Sequence, residues 1–167
     1  MCISPSRTYT AEVTTTKGRF TIALDARAAP NTVNNFVVLA RYKFYEGIPF
    51  HRAVPGFVIQ GGDPLANGTG GPGYRFDDEL PPPAAYKIGS VAMANSGPNT
   101  NGSQFFVVTG DAGTALQPNF SLFGTVTEGM DIVKSIEAVG TPETAIDPNG
   151  GRPTQQVTIS SVLIKES

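Results

Sequence analysis

The chain has 167 residues, 40% of them hydrophobic and 16% charged, with a net charge of −2. That is enough for one domain around one core, too apolar for a disordered chain, and without the clustered Lys and Arg of a nucleic-acid footprint. A lone cysteine, Cys2, excludes an internal disulfide, and no apolar run reaches the ~18 residues of a membrane span.

From the N-terminus, residues 1–10 lack the apolar stretch of a signal peptide, which points to a cytoplasmic protein. The alternative is an extracytoplasmic domain of a longer, anchored precursor. Residues 9–16 are rich in β-branched side chains, and Phe20, Ile22 and Leu24 alternate in the next run. With Lys17-Gly18 between them, the two runs predict a β-hairpin. After Pro30, Val33, Phe36, Val37 and Ala40 recur at helical spacing, with Asn31 the expected N-cap. Residues 45–49 are a turn into 49–64, PFHRAVPGFVIQGGDP, a strand-like run that stops at Gly61-Gly62-Asp63-Pro64.

The glycine-rich loop that follows has no Lys-Ser/Thr pair and opens no helix, so it reads as a surface loop and not a phosphate cradle. Residues 87–93, 104–109 and 120–126 read as strands, and 111–119 as a loop. Met130, Ile132, Val133 and Ile136 mark a second helix, with Thr127 as N-cap and Gly140 as C-cap. Residues 141–153 are loop and 156–165 a final strand. With about eight strands, mostly sequential neighbours, and two helices, closure into a barrel would remove the sheet edges.

Two stretches carry the chemistry, residues 49–64 and SVAMANSGPNTNGSQFFVV, residues 90–108. Strand alternation puts Val58 and Gln60 on one face with Ile59 opposite, and Gln104 with Phe106 opposite Phe105. Arg52 falls on the side of Phe50. A groove with a cation, amides and an apolar floor suits a short peptide. On residue type alone, Arg52 is equally a structural ion-pair partner. His51, the single histidine, has no credible nucleophile: Cys2 is remote and no GxSxG elbow exists. No metal-ligand spacing is present, and Asp77-Asp78-Glu79 before three prolines reads as a solvated turn.

The stretches FHRAVPGFVIQGGDP and MANSGPNTNGSQFF resemble the two signature stretches of the cyclophilin family of peptidyl-prolyl cis-trans isomerases. The likeness runs from Tyr9 to Lys165 and includes GTGGPGYRFDDE and FGTVTEGMDIV, leaving residues 1–8 as an N-terminal extension to a domain of residues 9–167. It implies a mainly β fold, a closed eight-stranded antiparallel β-barrel capped by two helices. It also implies isomerisation of Xaa-Pro bonds without cofactor or metal, in assistance of protein folding. The alternative is a module that binds proline peptides without turnover. By the resemblance Arg52 matches the catalytic arginine, and Phe57, Val58 and Phe106 the proline-pocket wall. Gln60, Ala94, Asn95 and Gln104 match residues that hold substrate backbone. Leu116 matches a pocket leucine, and Phe120 stands where many members carry histidine. The implied partners are proline-containing peptides and unfolded or partly folded proteins, met by a monomer, with no nucleic acid or membrane. The family's loop tryptophan would fall near Thr114 or Ala115 and the chain has none, so weak cyclosporin binding is expected.

Overall fold

The computed structural model describes residues 1–144 and 150–167. The expected hairpin forms from β1 (Tyr9–Thr15) and β2 (Gly18–Leu24), paired from Tyr9↔Leu24 to Thr15↔Gly18. Tyr9, Ala11 and Val13 face the core with Phe20, Ile22 and Leu24, as period-two alternation requires.

Helix α1 (Pro30–Arg41) buries Val33, Phe36, Val37 and Ala40. Its N-cap is Ala29, not Asn31, because Pro30 takes the first helical position, where a missing N–H leaves nothing unsatisfied. The orphan N–H groups of Asn31 and Thr32 donate to the Glu79 carboxylate at 3.0 and 2.8 Å. One acid of the Asp77-Asp78-Glu79 turn is therefore a helix cap supplied from another segment, where a solvated turn was expected.

The remaining strands are β3 (Arg52–Val54), β4 (Val58–Gly61), β5 (Ser90–Met93), β6 (Phe105–Val108), β7 (Leu122–Glu128) and β8 (Ile159–Glu166). All eight lie in one antiparallel sheet of order β3-β4-β6-β5-β7-β2-β1-β8. The expected closed barrel is corrected here: the fold is an open, curled half-barrel, and β3 and β8 share no ladder. The chain segments before them meet at one bridge, Pro49↔Thr158. Backbone bonds flank that bridge, Ile159 N–H to the Ile48 carbonyl and Phe50 N–H to the Val157 carbonyl, both at 2.9 Å, but the pairing stops there because the edge of β3 is taken by the segment after α3, through Ala53 to Thr141 and Gly151.

There are also three helices among the described residues, not two. Residues 111–119, expected to be loop throughout, contain the short α2 (Asp111–Thr114). Helix α3 (Met130–Glu137) buries Val133 and Ile136 and ends with Ala138 as C-cap, while the Gly140 N–H bonds the Glu137 carbonyl. Thr127 cannot cap α3 because β7 pairs through Glu128, which leaves a single residue for the turn. Gly129 makes that turn with φ of 78°. Of the expected loop 141–153, residues 145–149 lie outside the described residues.

The core is centred on the Phe36 ring, which packs on Tyr45, Phe123 and Phe105 at 5.1, 5.3 and 5.6 Å. Strands β4, β5 and β6 are buried on both faces. Ile59, Met93, Phe105 and Val107 join that core, while Val58, Ala92, Phe106 and Val108 form a second cluster with Tyr86. This second cluster floors the groove, and double burial explains why FFVV reads as a continuous apolar run. No helix among the described residues is long and apolar enough to cross a membrane.

Candidate functional site

The groove opens over the outer face of β3, β4 and β6. Registers Arg52↔Gln60 and Gln60↔Phe106 set an arginine, an amide and an aromatic ring side by side on three adjacent strands. The Pro55-Gly56 turn brings Phe57 up beside them. A cavity of about 680 Å³ results, lined by Arg52, Phe57, Val58, Gln60, Ala94, Asn95, Phe106, Leu116 and Phe120. This is the size range of ligand sites, roughly 300–1,000 Å³.

The apolar side is fixed by ring contacts and by a tyrosine. Phe120 meets Phe106 edge-on at 5.4 Å. Buried Tyr86 then pins Phe120: its hydroxyl donates to the Phe120 carbonyl at 2.6 Å and accepts the Phe120 N–H at 3.1 Å. Sequence reasoning missed Tyr86. Its only signal was a tyrosine beside the Pro81-Pro82-Pro83 loop, with nothing local to pair it to Phe120.

The polar side is a hydrogen-bonded relay whose polarity follows from its first member. Arginine has donors and no acceptor, so Gln60 must turn its Oε1 toward Arg52 Nη1, at 3.0 Å. That leaves Gln60 Nε2 to donate to Gln104 Oε1 at 3.0 Å, and Gln104 Nε2 to donate to the Gly70 carbonyl at 2.9 Å. The Arg52 guanidinium also lies over the Phe57 ring, 5.4 Å from its centroid. On its other edge it holds Glu143 by two bonds, Nε to Oε1 at 2.6 Å and Nη2 to Oε2 at 2.9 Å. Arg52 is thus both a groove cation and an ion-pair partner, the two readings that residue type left open.

Of the residues expected at the site, all but Gln104 line this cavity. Gln104 faces an adjoining cavity of about 340 Å³ beneath the 68–75 loop, and bonds two residues that line the main one, Gln60 through its side chain and Ala94 through its backbone. Asn95 is partly committed to its own loop, donating from Nδ2 to the Asn119 carbonyl at 2.8 Å. The pairing of Arg52 with Phe50 fails: Phe50 is buried in the core against Phe105, because regular strand begins only at Arg52 and alternation does not extend back.

His51 lines the cavity with Nδ1 buried and unbonded among the described residues. Burial draws its pKa below the ordinary 6.5, against the pull of Asp63 and with the help of Arg52, so it is neutral at pH 7. Asp63 has no exposed surface. It accepts the backbone N–H groups of Leu65, Asn67 and Gly68 at 2.8, 3.1 and 2.6 Å, and so shapes the Ala66–Asn67–Gly68 wall of the cavity. Among the described residues, no group of three His, Cys, Asp or Glu is placed to hold a metal ion.

The chain that carries this groove is similar to known proteins in sequence and in fold. Residues 10–164 match the family described as cyclophilin type peptidyl-prolyl cis-trans isomerase/CLD. The chain is 43% identical to the probable peptidyl-prolyl cis-trans isomerase A of Mycobacterium leprae, over 93% of this chain and 91% of that one. It is 40% identical to peptidyl-prolyl cis-trans isomerase B of Streptomyces anulatus, over 93% and 95%. A cyclophilin type isomerase of Cryptosporidium parvum superposes with a TM-score of 0.83 at 30% identity, covering 95% of this chain and 98% of that one. A crystal structure of that isomerase in the presence of the dipeptide Ala-Pro gives a TM-score of 0.82. Matched along nearly its whole length in sequence and in fold, the chain belongs to the cyclophilin-type peptidyl-prolyl cis-trans isomerases.

Proposed function

We propose that the groove catalyses rotation about Xaa-Pro peptide bonds, with Arg52 stabilising the twisted amide. The observation that carries this reading is the juxtaposition of the Arg52 guanidinium with the slot formed by Phe57, Val58, Phe106, Leu116 and Phe120. The slot takes the proline ring. Gln60, Ala94 and Asn95 hold the flanking backbone, and Gln104 supports Gln60 from behind.

Rotation about a prolyl bond crosses a barrier of roughly 18–20 kcal/mol because it breaks amide resonance, and takes about 10–100 s uncatalysed. Turnover of about 1–10³ s⁻¹ then requires roughly 3–7 kcal/mol of barrier lowering, which needs no covalent step. As the bond twists, the prolyl nitrogen becomes pyramidal and gains a lone pair. An arginine N–H that meets this lone pair bonds the twisted state and not the planar one, which is what lowers a barrier. Hydrogen bonds to charged groups contribute about 1.5–3 kcal/mol. Exclusion of water by the apolar slot favours the less polar twisted amide and supplies the remainder.

The substrates are proline-containing segments of unfolded or partly folded chains, met by a monomer. The test is the cis-trans exchange rate of a short Xaa-Pro peptide, measured by NMR with and without the protein. Acceleration is expected. Peptide binding without acceleration would reduce the groove to a docking site.

A further inference from the structure

The resemblance that picks out Arg52 says nothing of Glu143, yet Glu143 is the strongest partner Arg52 has. It comes from the segment after α3, and two features bring it there. First, the segment is stitched to the free edge of β3 on both sides of Glu143. Thr141 N–H donates to the Ala53 carbonyl at 3.1 Å, and Ala53 N–H donates to the Gly151 carbonyl at 2.7 Å. The Thr141 hydroxyl ties the two ends together, accepting the Gly151 N–H at 3.1 Å and donating to the Arg152 carbonyl at 3.0 Å. Second, Gly151 has φ of +87°, and a Cβ there would press within 3.1 Å of the Arg52 side chain and 3.4 Å of the Glu143 carboxylate. Glu143 therefore stands two residues from an anchored point.

Its carboxylate takes the Nε–Nη2 edge of the guanidinium, the geometry that fixes an arginine's plane as well as its distance. With the side chains 30% and 27% exposed, both partners are mostly shielded from water. Among the described residues, three of the five guanidinium N–H groups are committed, two to Glu143 and one to Gln60. The two that remain belong to Nη1 and Nη2, the end of the fork away from Nε.

We propose that Glu143 is the positioning residue of the reaction: it clamps the guanidinium over Phe57 so that the uncommitted Nη1 and Nη2 hydrogens face the proline slot. This rests on the proposed role of Arg52. An arginine free to rotate about its side-chain torsions would offer the same charge but spend little time aimed at the prolyl nitrogen, and such misplacement costs rate more than binding.

The experiment compares wild type, Glu143→Ala, Glu143→Gln, Arg52→Ala and the double variant in peptide exchange. The Arg52 Nε–H resonance is followed in parallel. Glu143→Ala should lower the exchange rate at saturating peptide roughly tenfold or more while peptide Kd moves less than about twofold. Glu143→Gln, which keeps one acceptor, should fall between. The Nε–H signal should be protected from solvent exchange in wild type and lose that protection in Glu143→Ala. In the Arg52→Ala background, removing Glu143 should change the residual rate by less than about twofold, since the effect runs through the arginine. Wild-type or faster turnover in Glu143→Ala and Glu143→Gln would overturn the inference, the faster case marking the carboxylate as a competitor of substrate. Full activity in Arg52→Ala would instead sink the assigned role of Arg52, a distinct failure.

Discussion

Substituting Asp63→Asn tests whether one buried carboxylate shapes the cavity wall. Asparagine keeps one carbonyl oxygen but replaces the other with an NH₂ group, which faces two N–H donors where it stands in for Oδ2, those of Asn67 and Gly68. Hydrogen bonds to a charged group contribute about 1.5–3 kcal/mol each, so losing two removes about 3–6 kcal/mol. Asn67 and Gly68 are exposed and can rehydrate, which leaves a net loss of about 2–4 kcal/mol. At roughly 2–4 °C per kcal/mol for a domain of this size, Tm should fall by about 5–15 °C at pH 7. The pH dependence is a second signature. Burial pushes the Asp63 pKa up, but the N–H groups of Leu65, Asn67, Gly70 and Gly68 outweigh it and hold the pKa below its ordinary 3.8. The stabilisation is therefore complete above that value and lost as pH falls through the lowered one. The Tm gap between wild type and Asp63→Asn should shrink on acidification below about pH 4. Ala66, Asn67 and Gly68 line the cavity, so kcat/KM should fall as well. A variant that melts within about 1 °C of wild type at pH 7, or a gap that widens in acid, would refute this reasoning.

Other outcomes are expected from the same geometry. Phe106→Ala removes a ring that is 4% exposed and packed edge-on with Phe120, so it should cost about 3–5 kcal/mol of stability and weaken peptide binding; calorimetry and peptide titration check both. The rate involves no proton transfer and arginine stays charged, so kcat/KM should be flat between about pH 6 and 9, where a steep bell would indicate acid–base chemistry. His51 should show in stability instead: its lowered pKa gives a contribution present above 6.5 and lost on acidification, so Tm should drop as pH falls toward 5 less in His51→Phe than in wild type. Cyclosporin titration should show weak binding, since residues 110–119 carry no tryptophan; affinity equal to that of a tryptophan-bearing family member would contradict this.

The sequence was most legible where burial is periodic. The β1–β2 hairpin and the α1 stripe could be read directly, because one face of each is buried and the other wet. The split of Val58 and Gln60 from Ile59 followed from the same rule within regular strand. Phe50 broke it, because the rule holds only where the backbone is extended, and regular strand begins at Arg52. Caps were misplaced because they are made by distant groups or by turn geometry: Glu79 reaches α1 from another segment, and Gly129 starts α3 because β7 ends one residue earlier. Closure stopped beyond Pro49 because the segment after α3 takes the edge of β3 at Ala53, a pairing that only the fold reveals. Nothing local relates Glu143 to Arg52 or Tyr86 to Phe120. These pairings arise from the fold, and a residue-type argument leaves Arg52 balanced between two roles that it holds together.

The central claim is that Arg52 lowers the rotational barrier of a prolyl bond held in the groove. It is tested most directly by NMR exchange on one Xaa-Pro peptide with wild type and Arg52→Ala, at matched saturation. The expected result is a loss of most acceleration in a variant that still folds and still binds the peptide. Equal exchange rates for the two proteins would contradict the assignment.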